Sequence, residues 1–211
     1  MRRPHLLRGA VALAFLVAAA LVIFAARAGE PAPAEDVLII HAAGTPFEGL
    51  AALTAANVDA VSCPTPVAMN CGTVAEQVAA ALRAKGLKVR VADAAAIKHR
   101  DEVLRPRLVV LGTPCYFATA SWKMVRLLDE AYWQIWALKG DRLGGRTVAT
   151  FATGKSEDPC RKAIADVQAF VKMCNANPGP TMVALITEAD EVPERVARFA
   201  DEIARSIAEP R

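Results

Sequence analysis

The sequence has little basic excess where a nucleic-acid partner would need it. The formal net charge of the 211 residues is +3, but Arg2, Arg3, Arg8 and Arg27 all precede residue 29 and no acidic residue does. The remainder carries 21 Lys and Arg against 22 Asp and Glu. The basic balance thus reports the N-terminal segment and argues against nucleic-acid binding, which wants a basic face on the folded domain. Histidine is scarce, and His41 and His99 stand in no ligand or triad pattern. The five cysteines, at 63, 71, 115, 160 and 174, match no zinc or iron–sulfur spacing. In an oxidising compartment their odd number leaves a free thiol or a pairing between chains. No internal repeat or low-complexity tract occurs.

What the chain does have is hydrophobic content, 54% in all, much of it in the first 28 residues. Residues 9–26, GAVALAFLVAAALVIFAA, carry no charge between Arg8 and Arg27. That is long for a signal peptide's apolar region and just enough to span a bilayer. Residues 1–28 read as a signal peptide or signal anchor, and Ala26-Arg27-Ala28 offers a small-x-small cleavage site. If uncleaved, the segment is a transmembrane helix holding the chain to the membrane. Basic residues precede it and Glu30, Glu35 and Asp36 follow it, which places the domain on the periplasmic or extracytoplasmic side. Arg2-Arg3 with Leu6-Leu7 partly matches a twin-arginine signal, although His5 stands where that pattern prefers an apolar residue. Residues 29–35, GEPAPAE, form a short stiff linker.

From residue 36 to about 209 strand-like and helix-like patterns alternate. Val37–His41 is a continuous apolar run, as a strand buried on both faces should be. Leu87–Ala92, Arg107–Gly112, Arg146–Phe151 and Thr181–Thr187 supply four more strands. Helical periodicity marks Thr73–Lys85, Ala94–Val103, Ser121–Leu138, Asp158–Cys174 and Glu191–Ala208. Such alternation predicts an α/β fold, a five-stranded parallel sheet with helices on both faces. About thirty residues separate the first strand from the first helix, far beyond the usual two to six. This insertion, residues 44–72, holds Cys63 and Cys71, whose closeness predicts a local disulfide. Trp133 and Trp136 share a helix face and suit a core or a subunit interface, leaving a homo-oligomer open.

Open α/β sheets bind ligands at the carboxyl ends of their strands, where strand order reverses. The third strand ends in Gly112-Thr113-Pro114-Cys115-Tyr116-Phe117, followed by Ser121, Lys123, Asp129 and Leu138-Lys139-Gly140. The fourth runs LGGRTVATFATG. Over about residues 107–155 this pattern resembles the flavodoxin-like family of NAD(P)H-dependent FMN and quinone reductases. The resemblance implies a flavodoxin-like sheet of order 2-1-3-4-5 and noncovalent FMN as cofactor. Thr113, Pro114, Cys115, Tyr116 and Phe117 would then face the isoalloxazine, with Tyr116 against the ring. Thr153, Gly154 and Lys155 would form the second ring-edge loop, Gly154 allowing close approach and Lys155 standing near the reduced flavin's anionic edge.

The phosphate turn departs from that family. Strand one ends in His41-Ala42-Ala43-Gly44-Thr45, without the family's hydroxyl-rich turn. The helix start, Gly72-Thr73-Val74, comes only after the insertion. Ala43 and Gly44 would be one half of a split phosphate site and Gly72, Thr73 and Val74 the other. An ordinary capped helix fits the same residues. The implied function is FMN-dependent electron transfer or quinone/flavin reductase chemistry. An exported domain does not meet NAD(P)H, so the partner would be a quinone or membrane electron donor. The alternative is a flavodoxin-like binding or interaction module that has lost its flavin.

Overall fold

Four consecutive apolar side chains, Val37 to Ile40, leave the first strand no solvent-facing side, and all four are buried. The computed structural model describes residues 35–43, 70–98, 100–132 and 145–208. β1 (Val37–His41) pairs in parallel with β2 (Val89–Asp93) on one side and β3 (Leu108–Tyr116) on the other. β5 (Thr147–Gly154) and β6 (Asn177–Leu185) continue the parallel sheet, giving the order β2-β1-β3-β5-β6. A two-residue strand, β4 (Thr119–Ala120), folds back antiparallel on the end of β3. Apart from that short addition, the order is the expected one.

Helices cover both faces. α1 (Cys71–Ala84) and α5 (Val192–Ala208) bury Val74, Val78, Phe199 and Ile203 against Val37, Ile39, Val110 and Phe151. On the opposite face, α3 (Trp122–Leu127) and α4 (Glu157–Met173) bury Met124, Leu127, Val167 and Val171 against Leu38, Ile40, Val109 and Leu111. Each such side chain contributes roughly 1.5–3 kcal/mol by leaving water. Phe151 and Phe199 meet edge to face at 6.4 Å between ring centroids. A Cβ on Gly112, the register partner of Phe151, would run into that ring.

Several boundaries differ from the periodicity, each for a local reason. The helix expected over 94–103 is interrupted. Asp93 Oδ1 accepts from the Ala95 N–H at 2.8 Å and closes a 3-10 turn, Ala94–Ala96. Glu102 Oε1 accepts from the Lys98 N–H at 3.0 Å, and α2 spans only Arg100–Leu104. Such side-chain bonds compete with a continuous helix. Of the helix expected over 121–138, the described part is α-helical over Trp122–Leu127 and π-helical over Leu128–Tyr132, and residues 133–138 lie outside the described residues. β6 begins at Asn177, ahead of the expected Thr181, because an edge strand tolerates Pro178 and Pro180.

The apolar segment 9–26, residues 44–69 of the insertion, and Trp133 and Trp136 lie outside the described residues. Among the described residues no helix is long and apolar enough to cross a membrane.

Candidate functional site

Strand order reverses between β1 and β3, since β1 leads outward to β2 and β3 to β5. The crevice at their carboxyl ends is the expected ligand position. The end of β1, the start of α1, the end of β3 and the end of β5 converge there.

At the β1–α1 end, side chains of the protein occupy one another. Asn70 caps α1, its Oδ1 accepting from the Thr73 N–H at 2.8 Å and from the Thr73 hydroxyl at 3.2 Å. Lys123 reaches across from α3 and donates from Nζ to the Ala43 carbonyl at 2.9 Å. His41 Nδ1 accepts from the Ala43 N–H at 3.3 Å. The same nitrogen lies 3.9 Å from Asp93 Oδ2, but it cannot accept one bond and donate the other. Burial holds the His41 pKa below its ordinary value, against the opposing pull of Asp93 and Glu76. The neutral ring accepting from Ala43 is therefore the state at neutral pH. A Cβ on Gly72 would touch Asn70 Oδ1 at 3.2 Å, Ala43 Cβ at 3.3 Å and His41 Cε1 at 3.4 Å. Helix geometry still leaves the N–H groups of Cys71 and Gly72 without intrahelical partners.

Cys71 lies beneath this end. It is a free, buried thiol next to the Ala42 backbone and the Thr153 side chain, and burial drives its pKa far up. The disulfide expected between Cys63 and Cys71 falls in part on a residue outside the described ones. As the first residue of α1, Cys71 turns its sulfur into the core, and Cys63 itself lies outside the described residues.

The β3–β5 end is built from backbone and small side chains. Cys115 pairs with Ala120 and Tyr116 with Thr119, and Phe117 and Ala118 form the turn between them. Both turn residues are left-handed, φ 52° and 60°, the conformation a two-residue hairpin needs to match strand twist. Thr113 staples this loop from below. Its buried Oγ1 accepts from the Ser121 N–H at 2.9 Å and donates to the Pro114 carbonyl at 3.0 Å. Ser121 in turn caps α3. Gly154 lies where a Cβ would stand 2.5 Å from Cys160 Sγ and 3.3 Å from Cys115 Cβ.

The predicted residues thus fall into three groups. Val74, Thr113, Pro114 and Thr153 are buried; Val74 packs in the core and Thr113 holds the hairpin. Ala43, Gly72, Thr73, Cys115, Tyr116 and Gly154 are half-buried along the crevice, while Phe117 and Lys155 are exposed. Gly44 lies outside the described residues. Four participants went unassigned from sequence: Asn70, Lys123, His41 and Cys160. Only Asn70 had a readable signal, as a capping residue before an apolar helix. An open groove of about 680 Å³ runs along the outer side of the hairpin, lined by Tyr116, Phe117, Trp122, Val125 and Arg126 among others. It shares only Tyr116 and Phe117 with the predicted residues and is not the crevice at the strand ends.

No protein-family model matches the chain, and no curated protein does. Solved structures do. A flavodoxin of Streptococcus pneumoniae TIGR4 aligns with a TM-score of 0.57 at 20% identity, covering 80% of this chain and 97% of its own. An NADH:FMN oxidoreductase in its apo form aligns at 0.56 and 14%, covering 83% and 92%. General stress protein 14 of Treponema denticola, solved in complex with FMN, aligns at 0.52 and 18%, covering 82% and 98%. These likenesses establish a flavodoxin-like fold.

Proposed function

We propose that the chain is an FMN-binding redox domain, presented on the extracytoplasmic side of a membrane. The observation that carries this reading is the hairpin at the end of β3. It stands at the strand-order reversal, stapled by Thr113 to Ser121, and faces the small residues at the end of β5. A flat, mostly apolar ring with polar edges fits such an edge, where backbone groups are fixed and Gly154 permits close approach. Tyr116 supplies an aromatic face and Lys155 a nearby positive charge. The phosphate would sit at the start of α1, held by the N–H groups of Cys71 and Gly72 and by Thr73 once it exchanges Asn70 for the anion. Bound there, the flavin supplies one- or two-electron chemistry, and the chain's own residues bind and orient it. The electron partner is a quinone or a membrane-bound donor, consistent with the apolar segment ahead of the domain.

Asn70 favours a second reading, an interaction module without flavin, because it already satisfies the Thr73 donors. Titration with FMN and riboflavin separates the two. On the flavin reading, Tyr116→Ala weakens both ligands. Thr73→Ala weakens FMN by roughly ten- to a hundred-fold, as one hydrogen bond to a charged group implies, and leaves riboflavin nearly unchanged. If the wild-type chain neither co-purifies with FMN nor binds it when added, the interaction module is the better account.

A further inference from the structure

Cys115 and Cys160 stand 45 residues apart in sequence and meet beside Gly154. One comes from the end of β3, the other from the start of α4. Both converge on the point a Gly154 Cβ would occupy, Cys160 through its sulfur and Cys115 through its Cβ. The two thiols are close enough to influence each other's ionisation. Cys115 also packs on the small cluster of Ala152, Cys160, Ile164, Val183 and Leu185. Their access differs: Cys160 is fully buried, whereas Cys115 is partly open to solvent. Among the described residues no group of three or more metal-ligating side chains forms.

We propose that Cys115 and Cys160 are a reversible dithiol–disulfide pair that exchanges with external disulfides, Cys115 as the entry thiol and Cys160 as the resolving thiol. The Cys115 thiolate attacks one sulfur of an incoming disulfide, forming a mixed disulfide and releasing one thiolate, which takes up the proton Cys115 gave to solvent. Cys160 then loses its proton and attacks Cys115 Sγ. The second external thiolate leaves and is protonated. Two protein thiols are oxidised to one disulfide, and one external disulfide is reduced to two thiols. The order follows from the site. Burial pushes the Cys160 thiol up, and negative charge on Cys115 pushes it further. Access sets the order: Cys115 is partly open to solvent and meets the external disulfide first, while buried Cys160 reaches only the sulfur beside it. The closed bond ties the β3 hairpin to α4 across Gly154. None of these steps requires a flavin.

The whole chain, equilibrated in glutathione buffers from fully reduced to fully oxidised, acid-quenched, alkylated after unfolding and peptide-mapped, tests this directly. The expected result is one Cys115–Cys160 linked peptide pair in the oxidised buffers, lost again in the reduced ones. Cys160→Ser should accumulate a glutathione adduct on Cys115, and Cys115→Ser should leave Cys160 unmodified. Full alkylation of both thiols after equilibration with oxidised glutathione would overturn the pair. An adduct forming first on Cys160 would overturn the assigned roles. The wild-type map needs no variant, so a misfolded substitution does not obscure the result.

Discussion

At the β3–β5 end of the crevice the surface is backbone. The hairpin around Phe117 and Ala118, the Thr113 staple and the side-chain-free Gly154 fix its N–H and carbonyl groups by covalent geometry and packing. At the β1–α1 end the surface is side chain. Asn70, Lys123 and His41 each close on a backbone or hydroxyl group that a ligand would otherwise reach. A backbone-built edge offers the same groups whether or not a ligand is there. A side-chain-closed edge must rotate out of its own bonds first, so binding there starts at a cost. On the proposed flavin reading, the rigid half would lie under the ring and the adjustable half under the phosphate.

The largest expected effect comes from breaking the rigid half. Gly154→Ala sets a methyl 2.5 Å from Cys160 Sγ, a buried atom on a packed helix. Overpacking of this kind costs about 1–3 kcal/mol, measured as a fall in the denaturation midpoint. Cys160→Ala should rescue most of that loss in the double variant. A Gly154→Ala protein as stable as the wild type would mean that this end is loose, and the contrast would collapse.

Asn70→Ala acts on the adjustable half. Loss of an N-cap costs about 1 kcal/mol of stability. The same substitution frees the Thr73 N–H and hydroxyl from Asn70. If an anion belongs there, the preference for FMN over riboflavin should rise even as the fold weakens. A parallel fall in both affinities would show that Asn70 shapes the ligand site and does not compete for it.

The contrast also explains what could be read from sequence. β1 was legible because four adjacent apolar residues have one physical solution. α5 was legible because Val196, Phe199 and Ile203 form one buried stripe. The β3–β5 end could be located as loops at strand carboxyl ends because its residues, Thr113 through Phe117 and Thr153-Gly154, are local in sequence. The other end was not, since Lys123 reaches a carbonyl 80 residues away. Cys115 and Cys160 are separated in the same manner, and their approach depends on β3 and α4 flanking β5. The break at Asp93 was hidden for a different reason: periodicity registers which face is apolar, not whether a side-chain bond interrupts the turn.

The smallest effect is a pH dependence at the β1–α1 end, and it tests whether His41 belongs to the closed arrangement. Burial lowers the folded-state pKa of His41 below the ordinary value of about 6.5, with Asp93 and Glu76 opposing and Lys123 adding to the shift. Below that ordinary value the unfolded chain binds a proton that the folded chain resists. Stability therefore rises with pH across this window and is lost as pH falls from about 6.5 through the folded-state value. Protonation also takes the Nδ1 lone pair from the Ala43 N–H. His41→Gln keeps an acceptor near that N–H and removes the titration. Denaturation midpoints compared between pH 8 and pH 5 should fall more for the wild type than for His41→Gln. Asp201 is separable, because Lys85 lowers its pKa below the usual carboxylate range, so its contribution is lost only at more acidic pH. Equal slopes in the two proteins would move the pH dependence elsewhere and leave the β1–α1 end closed by Asn70 and Lys123 alone.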